Sequence, residues 1–281
     1  MSAKLSIRNV AKRFSGQDHQ VNALSSVSFD VQAGEFLVLV GPSGCGKSTL
    51  LSIIAGLEKA DSGEVLVDGI PVTRPGPDRA LVFQDGALFP WLNVRKNVEF
   101  GLRQKGVTAG EASDRAIHFL EQVGLAKFAE NALYTLSGGM RQRVAIARVL
   151  SLEPEVLLMD EPFSALDAIT REDLYVEVQE LWQNRGATIV FVTHNVREAV
   201  TLGDRVILLA SDPGRIQLEV PVDILRPRHI DDVDVARTAQ LLSQSMRQGR
   251  ENILQEVWND EQFTENDLLR GFDRLMGDYR Q

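Results

Sequence analysis

The chain has 281 residues, which allows one or two domains and is long enough to bury a large core. Apolar residues make up 44% and charged residues 25%, an ordinary globular composition that argues against intrinsic disorder and a coiled coil. Acidic residues outnumber basic ones by 39 to 30, and the net charge of -9 argues against nucleic-acid binding and against general attraction to anionic lipid.

Features of membrane insertion, secretion and disulfide bonding are missing from the sequence. The longest apolar runs, such as Phe36–Val40, are far shorter than the about 20 residues that a membrane helix needs. The first ten residues contain no apolar signal core, so we expect a protein that is not secreted. The single cysteine, Cys45, cannot form an internal disulfide, which suits a reducing compartment. No Cys/His cluster has the spacing of a metal site.

Short apolar runs alternate with helical patterns along most of the chain. Runs that are apolar throughout are typical of strands buried on both faces of a parallel sheet. Helical periodicity follows at 47–57, 141–150 and 171–181, and the alternation predicts an α/β architecture. The predicted strands are 5–10, 36–40, 64–67, 80–83, 156–159, 188–192 and 205–209.

Two regions depart from this alternation. No strong strand pattern occurs at 93–131, where Ala112–Val123 has the spacing of an amphipathic helix, so we predict a helical insert at about 85–136 within a main domain of residues 1–220. Residues 221–281 predict a helical extension with two apolar stripes, one at 235–246 and one at 268–276 in a helix that Thr264 and Asp267 would cap at 264–276. These stripes either pack on the main domain or form a regulatory or dimer-contact element.

A glycine-rich segment, GPSGCGKST, follows one predicted strand and opens a predicted helix. Its glycines allow a tight turn whose N–H groups point at phosphate oxygens. Lys47 would supply charge for the outer phosphates of a nucleotide, and the Ser48 hydroxyl would be a Mg²⁺ ligand. An ordinary glycine-rich turn is the alternative, and Cys45 needs no chemistry of its own. The predicted nucleotide-binding loop consists of Gly41, Pro42, Ser43, Gly44, Cys45, Gly46, Lys47, Ser48 and Thr49.

Two acids, Asp160 and Glu161, follow the predicted buried strand 156–159. Burying such a pair is costly unless each acid has a partner or a function. Successive side chains of a strand point to opposite faces, so the two acids can serve different sites. We expect Asp160 to hold the Mg²⁺ shell through water and Glu161 to polarise the water that attacks the γ-phosphate. Without the phosphate loop, a solvated loop would explain the pair equally well.

The segment LSGGMRQRVAIAR, residues 136–148, resembles the signature motif of ATP-binding cassette (ABC) ATPases. A Ser-Gly-Gly turn at a helix N-terminus is a second anion-binding site, although an ordinary capped helix would explain this segment alone. The resemblance implies an α/β fold of the P-loop NTPase (RecA-like) class, with a parallel core sheet, an antiparallel β subdomain and an inserted helical subdomain. It also implies a dimer in which Ser137, Gly138 and Gly139 of one subunit cover the γ-phosphate held by Lys47 of the other.

Further family positions occur in the expected order over residues 4–220. Gln84 matches the Q-loop, which senses Mg²⁺ and the attacking water, and residues 164–167 match the D-loop, which crosses the dimer. His194 matches the switch histidine at the γ-phosphate. Phe14 lies where the family places an aromatic ring under the adenine, with core packing as an equal alternative. Two departures are small: Met140 stands where Gln is common, and Asn195 follows His194 where Asp is common.

One cassette without a membrane span resembles the separate ATPase subunit of a bacterial importer. Two copies of such a subunit dock beneath membrane permease subunits, at the cytoplasmic face of the inner membrane, and a solute-binding protein delivers the solute. Residues 87–91 would line the groove for the permease or pack inside the insert.

Local segments such as RPGPDRALVFQD and LFPWLNV resemble the nitrate, sulfonate, taurine and bicarbonate importers. We therefore expect ATP hydrolysis with ATP and Mg²⁺ to drive uptake of a small anionic solute. The alternatives are a soluble ABC-type ATPase in a nucleic-acid or translation machine, a P-loop phosphotransferase and a non-catalytic scaffold.

Overall fold

The fold, described by a computed structural model for residues 4–15, 20–164 and 166–248, consists of two sheets joined by one helix layer and flanked by a helical insert. The ten strands in these ranges are β1 Leu5–Ser15, β2 Gln20–Val31, β3 Phe36–Val40, β4 Ser62–Val67, β5 Ile70–Pro71, β6 Arg79–Val82, β7 Val156–Asp160, β8 Thr188–Thr193, β9 Arg205–Ala210 and β10 Arg215–Pro221. The α-helices are α1 Lys47–Ala55, α2 Val94–Gln104, α3 Ala109–Gln122, α4 Gly138–Leu150, α5 Ala168–Arg185, α6 Val196–Leu202 and α7 Val233–Gln248.

The larger sheet has the order β10-β9-β3-β8-β7-β6. The pairs from β9 to β6 are all parallel, and only the edge strand β10 runs antiparallel. This is the parallel sheet that the apolar runs predict. All seven predicted strands are present, with ends that differ by a few residues, as is usual for boundaries read from sequence.

The sequence of strand β3 is apolar throughout because the strand is buried on both faces of the sheet. All five of its residues are buried. Phe36, Val38 and Val40 belong to the core cluster on one face of the sheet, whereas Leu37 and Leu39 belong to the cluster on the other face. Full burial of such a side chain stabilises a fold by about 1.5–3 kcal/mol, so both faces of the central strand are covered.

The smaller sheet is antiparallel, with the order β2-β1-β4-β5. Helix α1 packs between the two sheets through Leu50, Leu51 and Ile54, which share a core cluster with residues of β1, β2 and β4. Strands β2, β5 and β10 are not among the strands that we predicted from the sequence. The antiparallel subdomain itself is the one that the family resemblance implies.

The predicted helical insert contains α2 and α3. Asn93 caps α2 by accepting a hydrogen bond from the backbone N–H of Lys96, and Thr108 caps α3 in the same way for Glu111. Two short 3₁₀ turns, Ala126–Phe128 and Leu133–Thr135, lead from the insert into α4. In the described ranges no strand crosses residues 93–131, which agrees with the sequence pattern.

Helix α7 accounts for the first apolar stripe of the extension. Val235, Ala239 and Leu242 are buried in the core cluster that also contains residues of α6 and of the larger sheet, so this stripe packs against them. The second stripe, at 268–276, lies outside the described residues. Among the described helices, none is long and apolar enough to cross a membrane.

Candidate functional site

Three groups of predicted functional residues lie at one edge of the larger sheet. Strands β3, β8 and β7 are neighbours, and they end at Val40, Thr193 and Asp160. Because these strands are parallel, their carboxyl ends lie side by side, which is where α/β sheets bind ligands. Gly41, His194 and Glu161 are the next residues along the chain at these three ends.

The glycine-rich loop turns through left-handed backbone conformations before α1 begins. Gly46, the N-terminal cap of α1, has a φ of 90°, and Gly44 has a φ of 82°. The Lys47 side chain is only 5% exposed. Its ammonium group donates to the carbonyl oxygens of Gly41 and Pro42, at 2.8 and 2.9 Å. The loop therefore encloses one fully oriented positive charge.

The interior of the same loop leaves no room for larger side chains. A Cβ atom on Gly41 would lie 2.5 Å from the carbonyl oxygen of Leu209 and 2.8 Å from the Cys45 sulfur. Cys45 is fully buried, and burial raises the pKa of its thiol. A protonated buried thiol is unreactive. Cys45 therefore acts as a small packing residue of the loop, as the sequence suggested.

Asp160 and Ser48 form an oxygen pair beside the loop. The Ser48 hydroxyl donates to the Asp160 carboxylate at 3.0 Å. Burial raises the pKa of Asp160, and the bond from Ser48 opposes this effect. Hydroxyl and carboxylate oxygens are ligands that Mg²⁺ prefers, with the remaining positions taken by water and phosphate. In the described ranges no group of three or more His, Cys, Asp and Glu side chains could hold a metal by itself. The donor set fits a Mg²⁺ that arrives with a phosphate.

Glu161 contacts His194, whereas the adjacent acid, Asp160, contacts Ser48. The Nδ1 atom of His194 lies 2.9 Å from Oε2 of Glu161. Glu161 has a φ of 43°, and its backbone N–H donates to the carbonyl oxygen of Val192 at 3.0 Å. A non-glycine residue in this conformation is uncommon and often occurs at functional sites. The two acids thus engage different partners, although Glu161 lies beyond the end of β7 and the alternation of strand side chains does not apply to it.

Gln84 lies in a cleft that also receives Asp160. The cleft has a volume of about 700 Å³ and is lined by Phe83, Gln84, Asp85, Asp160 and Ser164. This size lies within the range of small-molecule sites. Gln84 is exposed and follows the end of β6 by two residues. The geometry therefore brings together the carboxylate, the amide and the serine segment that the sequence singled out.

Phe14 lies on β1 and is not a core residue. Its side chain is 41% exposed, which removes the core-packing alternative. The Lys12 ammonium lies 5.1 Å from the centre of the Phe14 ring and is itself paired with Glu58 and Asp61. An exposed ring backed by a fixed cation is available for stacking.

The signature segment forms the N-terminal end of α4. Ser137 caps α4, accepting a hydrogen bond from the backbone N–H of Met140 at 3.2 Å. A Cβ atom on Gly139 would lie 2.9 Å from Cδ2 of Leu166, so this turn is closely packed. In the described part of the chain no hydrogen bond joins Ser137–Gly139 to the loop Gly41–Thr49.

The two small departures from the family pattern are accommodated locally. Met140 packs against the core cluster that covers one face of the larger sheet and includes residues of the insert. Asn195 caps α6 by accepting hydrogen bonds from the backbone N–H groups of Arg197 and Glu198. Neither substitution disturbs the pairs formed by Asp160 and Glu161.

Sequence reasoning missed a buried group behind His194. Glu198 accepts hydrogen bonds from the Tyr175 hydroxyl at 2.9 Å and from the Thr193 hydroxyl. Burial raises the pKa of Glu198. No motif marked it in the sequence, because Glu198 lies inside α6, after the cap Asn195, and its partner Tyr175 lies on another helix. This group ties the loop that carries His194 to α5.

A second cavity, of about 600 Å³, lies at the opposite end of the larger sheet. Gly34, Glu155 and Thr188, which precede or begin β3, β7 and β8, contribute to its lining. The phosphate loop, Glu161 and His194 follow the carboxyl ends of these strands, so this cavity is separate from them.

Comparison with known proteins agrees with this geometry. A family model described as ABC transporter matches residues 24–164. An uncharacterised ABC transporter ATP-binding protein of Methanocaldococcus jannaschii is 50% identical over 228 residues, which cover 81% of this chain and 85% of that protein. The chain belongs to the ABC transporter family. As a member of it, the protein is a transport ATPase with the P-loop α/β fold.

Other relatives of this ABC protein carry more specific names. A taurine import ATP-binding protein of Jannaschia sp. is 45% identical, with 92% of this chain and 95% of that one covered. A nitrate import ATP-binding protein of Synechocystis sp. is 48% identical, with 78% and 83% covered. A dimeric ATP-binding cassette, solved in a post-hydrolysis state with ADP and inorganic phosphate, has a TM-score of 0.73 and 35% identity, covering 79% of this chain and all of that one.

Proposed function

We propose that this protein is the ATP-hydrolysing subunit of an importer for a small anionic solute, and that it works as a dimer beneath membrane permease subunits. The ATPase assignment rests on one observation: the two adjacent acids have different partners. Asp160 accepts a hydrogen bond from Ser48, and Glu161 contacts His194. Relatives named for taurine and nitrate import support the transport part.

ATP binding begins at the phosphate loop and at Phe14. The adenine would stack on the exposed Phe14 ring, and the backbone N–H groups of Gly41–Thr49 would surround the phosphates. Lys47 would exchange its bonds to the carbonyls of Gly41 and Pro42 for the β- and γ-phosphates. Because the loop already orients this ammonium group, little side-chain entropy is lost when ATP binds.

Ser48, Asp160 and Gln84 would hold Mg²⁺ with the nucleotide, Asp160 acting through water. Bound Mg²⁺ supplies positive charge that offsets the charge developing on the phosphates. The contribution of the chain is a preformed hydroxyl–carboxylate pair at 3.0 Å together with an exposed amide at the same cleft.

Glu161 would act as the general base toward the attacking water. Its carboxylate is held by His194, and its backbone is held by the carbonyl of Val192. A base fixed at two points presents its free oxygen lone pairs in one direction, which is what proton abstraction from a positioned water needs. His194 would orient Glu161 and, with Lys47, stabilise the charge on the phosphoryl group.

The dimer would complete each site. Ser137, Gly138 and Gly139 at the N-terminus of α4 would cover the γ-phosphate of the partner subunit, since a helix N-terminus favours a bound anion. The solved dimeric cassette supports this arrangement. A net charge of -9 gives no support to the alternative of a nucleic-acid machine.

The permease would contact the aromatic segment after Gln84. Trp91 is 77% exposed there, whereas Leu88 is partly buried against the core, so the segment 87–91 combines a surface part and an anchoring part. Docking of the permease would place the protein at the cytoplasmic face of the membrane, as a peripheral subunit.

Affinity purification from the native cell tests the proposal. A tagged Glu161→Gln variant is purified from solubilised membranes with ATP present, and the co-purifying proteins are identified. We expect a multi-span membrane subunit, with or without a solute-binding protein that can then be screened against nitrate, taurine, other sulfonates and bicarbonate. Recovery of only soluble or ribosomal proteins would overturn the transport assignment in favour of a soluble ABC-type ATPase.

A further inference from the structure

Helix α4 carries the signature Ser137 at its N-terminal end and Arg148 near its C-terminal end. The two terminal nitrogens of Arg148 reach the Q-loop, the segment Phe83–Phe89. Nη1 donates to the carbonyl oxygen of Ala87 and Nη2 to that of Gly86, both at 2.8 Å. One guanidinium group therefore holds two consecutive carbonyls, which fixes their direction as well as their distance.

A second residue of the same helix holds the beginning of the Q-loop. The side-chain amide of Gln142 donates to the carbonyl oxygen of Phe83 at 3.3 Å. Gln84 lies between the carbonyls held by Gln142 and by Arg148. Thus α4 controls the backbone on both sides of the proposed nucleotide-sensing glutamine.

The backbone that Arg148 holds is strained. Gly86 has a φ of 74°, and Ala87 has a φ of 43°, a conformation that residues with a Cβ atom adopt at a cost. Local bonds support the turn: Gly86 donates to the carbonyl of Phe83, and Ala87 donates to Asp85. Without the Arg148 bonds we expect this turn to relax, because the bonds that remain at Gly86 and Ala87 lie within the loop.

Arg148 also contacts the aromatic cluster that follows the Q-loop. Its guanidinium carbon lies 5.5 Å from the centre of the Phe89 ring, and this ring packs against Trp91 and Phe100 at 5.6 and 4.4 Å. Among the described residues no carboxylate pairs with Arg148, and burial lowers the pKa of its guanidinium. The Arg148 guanidinium thus contacts backbone carbonyls and an aromatic ring rather than a carboxylate.

We propose that Arg148 is a positioning residue that makes α4 and the Q-loop move as one unit. Engagement of Ser137 by the partner's nucleotide would then shift Gln84 and the exposed aromatic cluster together. This inference rests on the proposed function, because it needs the ATP-bound dimer. It adds the residue that carries the signal from the signature end of α4 to the surface proposed for the permease.

Hydrogen–deuterium exchange on the full chain tests the inference. In the Glu161→Gln background, ATP with Mg²⁺ should slow exchange both at 134–142 and at 83–92. With Arg148→Ala added, the slowing at 134–142 should remain, whereas the slowing at 83–92 should fall by about fivefold or more, the lower end of typical coupling factors. A merely structural role for Arg148 would change exchange with and without ATP by the same factor.

Two further variants keep the test decisive. Arg148→Lys retains the cation but lacks the two-pronged geometry, so it should lose part of the response at 83–92 even if Arg148→Ala does not fold. Arg103→Ala is the matched control, since Arg103 also donates to a backbone carbonyl of the insert, that of Val107, without touching the Q-loop. It should leave both responses intact.

The outcomes separate the inference from the proposed function. If size-exclusion chromatography detects no ATP-dependent dimer of the Glu161→Gln variant, the proposed function fails and the inference fails with it. If the dimer forms and the 83–92 segment of both Arg148 variants still follows 134–142 as in the parent, the inference alone is overturned.

Discussion

His194 is held against Glu161 by the sheet itself. Its Nδ1 atom lies 2.9 Å from the Glu161 carboxylate, and the two residues follow the ends of the adjacent strands β8 and β7. The β8 carbonyl of Val192 accepts the Glu161 backbone N–H, so the ladder continues to the point where the side chains meet. The contact between His194 and Glu161 is therefore placed by the ends of two paired strands.

Replacement Glu161→Gln tests the proposed base. The variant should bind ATP, form a dimer and stall, with kcat reduced by about 10²–10⁴-fold, because an amide cannot accept the proton of water. ATPase assays and size-exclusion chromatography with ATP measure this. Glu155→Gln, at the other end of β7, is the control and should keep nearly normal turnover. A Glu161→Gln enzyme that turns over at near the parental rate would show that the base has been misassigned.

His194 should affect catalysis more than binding. In a His194→Ala variant, Glu161 loses its side-chain partner, and the charge on the phosphoryl group loses one stabilising contact. We expect kcat to fall by about 100-fold while the KM for ATP changes by less than threefold. Steady-state kinetics give both values. A large rise in KM at unchanged kcat would mean that His194 binds the nucleotide rather than supporting the chemistry.

Alanine substitutions at two glycines of the phosphate loop can separate the cost of a steric clash from the cost of backbone strain. Gly44 and Gly46 both have left-handed φ values, but a Cβ atom on Gly44 meets nothing within 4 Å. On Gly46 it would lie 2.5 Å from the backbone oxygen of Ala23 and 2.6 Å from Leu24. Both alanine variants should lose about 1–2 kcal/mol of unfolding free energy from strain.

Gly46→Ala should lose about 1–3 kcal/mol more, because the contact is with backbone that cannot rotate away. Chemical denaturation of the two variants measures the difference. Equal losses would mean that the loop moves to accept the added atom.

The phosphate loop and the acid pair were predictable because each is a short continuous segment next to a strand that the sequence also predicts. Strand β2 was missed although it is longer than any other described strand. Its buried residues Leu24, Val27 and Phe29 break the two-residue alternation, because the pairing with β1 contains register shifts and Ser26 has a φ of 50°. A bulge adds a residue and reverses the face pattern beyond it.

The partners of Arg148 and Glu198 could not be predicted for a different reason. Arg148 reaches carbonyls about 60 residues earlier in the chain, and Glu198 reaches Tyr175 on another helix. Such bonds depend on how helices pack after the local elements have formed. The sequence marks these residues only as charged positions on helices, which are most often solvent-exposed.

Asp160 should lower the stability of the nucleotide-free protein, although Mg²⁺-dependent ATP hydrolysis requires it. Its carboxylate is partly buried, and Asn keeps the oxygen that accepts the Ser48 bond while removing the charge. We expect Asp160→Asn to raise Tm by about 2 °C and to lower Mg²⁺-dependent hydrolysis more than 100-fold. Calorimetry without nucleotide and ATPase assays measure the two effects. Asp85→Asn, at an exposed position of the same cleft, should leave Tm unchanged, and an equal rise there would exclude burial as the cause.

Glu198 should make stability depend on pH. Burial raises its folded pKa above the ordinary value of 4.5, although Arg171 and His194 lower it in part and Tyr175 and Thr193 donate hydrogen bonds to it. Below pH 4.5 the carboxyl is neutral in both states. As pH rises above 4.5, the unfolded chain ionises first, so the unfolding free energy falls by up to about 1.4 kcal/mol per pH unit until the folded pKa is reached.

A Glu198→Gln variant lacks this titration. The unfolding free energy of the parent minus that of the variant should therefore decrease between pH 5 and 8, measured by urea denaturation at each pH. Glu180→Gln, on the exposed face of α5, should run parallel to the parent. A constant difference between the parent and Glu198→Gln would mean that the Glu198 carboxyl has the same pKa folded and unfolded, and that its two hydroxyl bonds fully offset its burial.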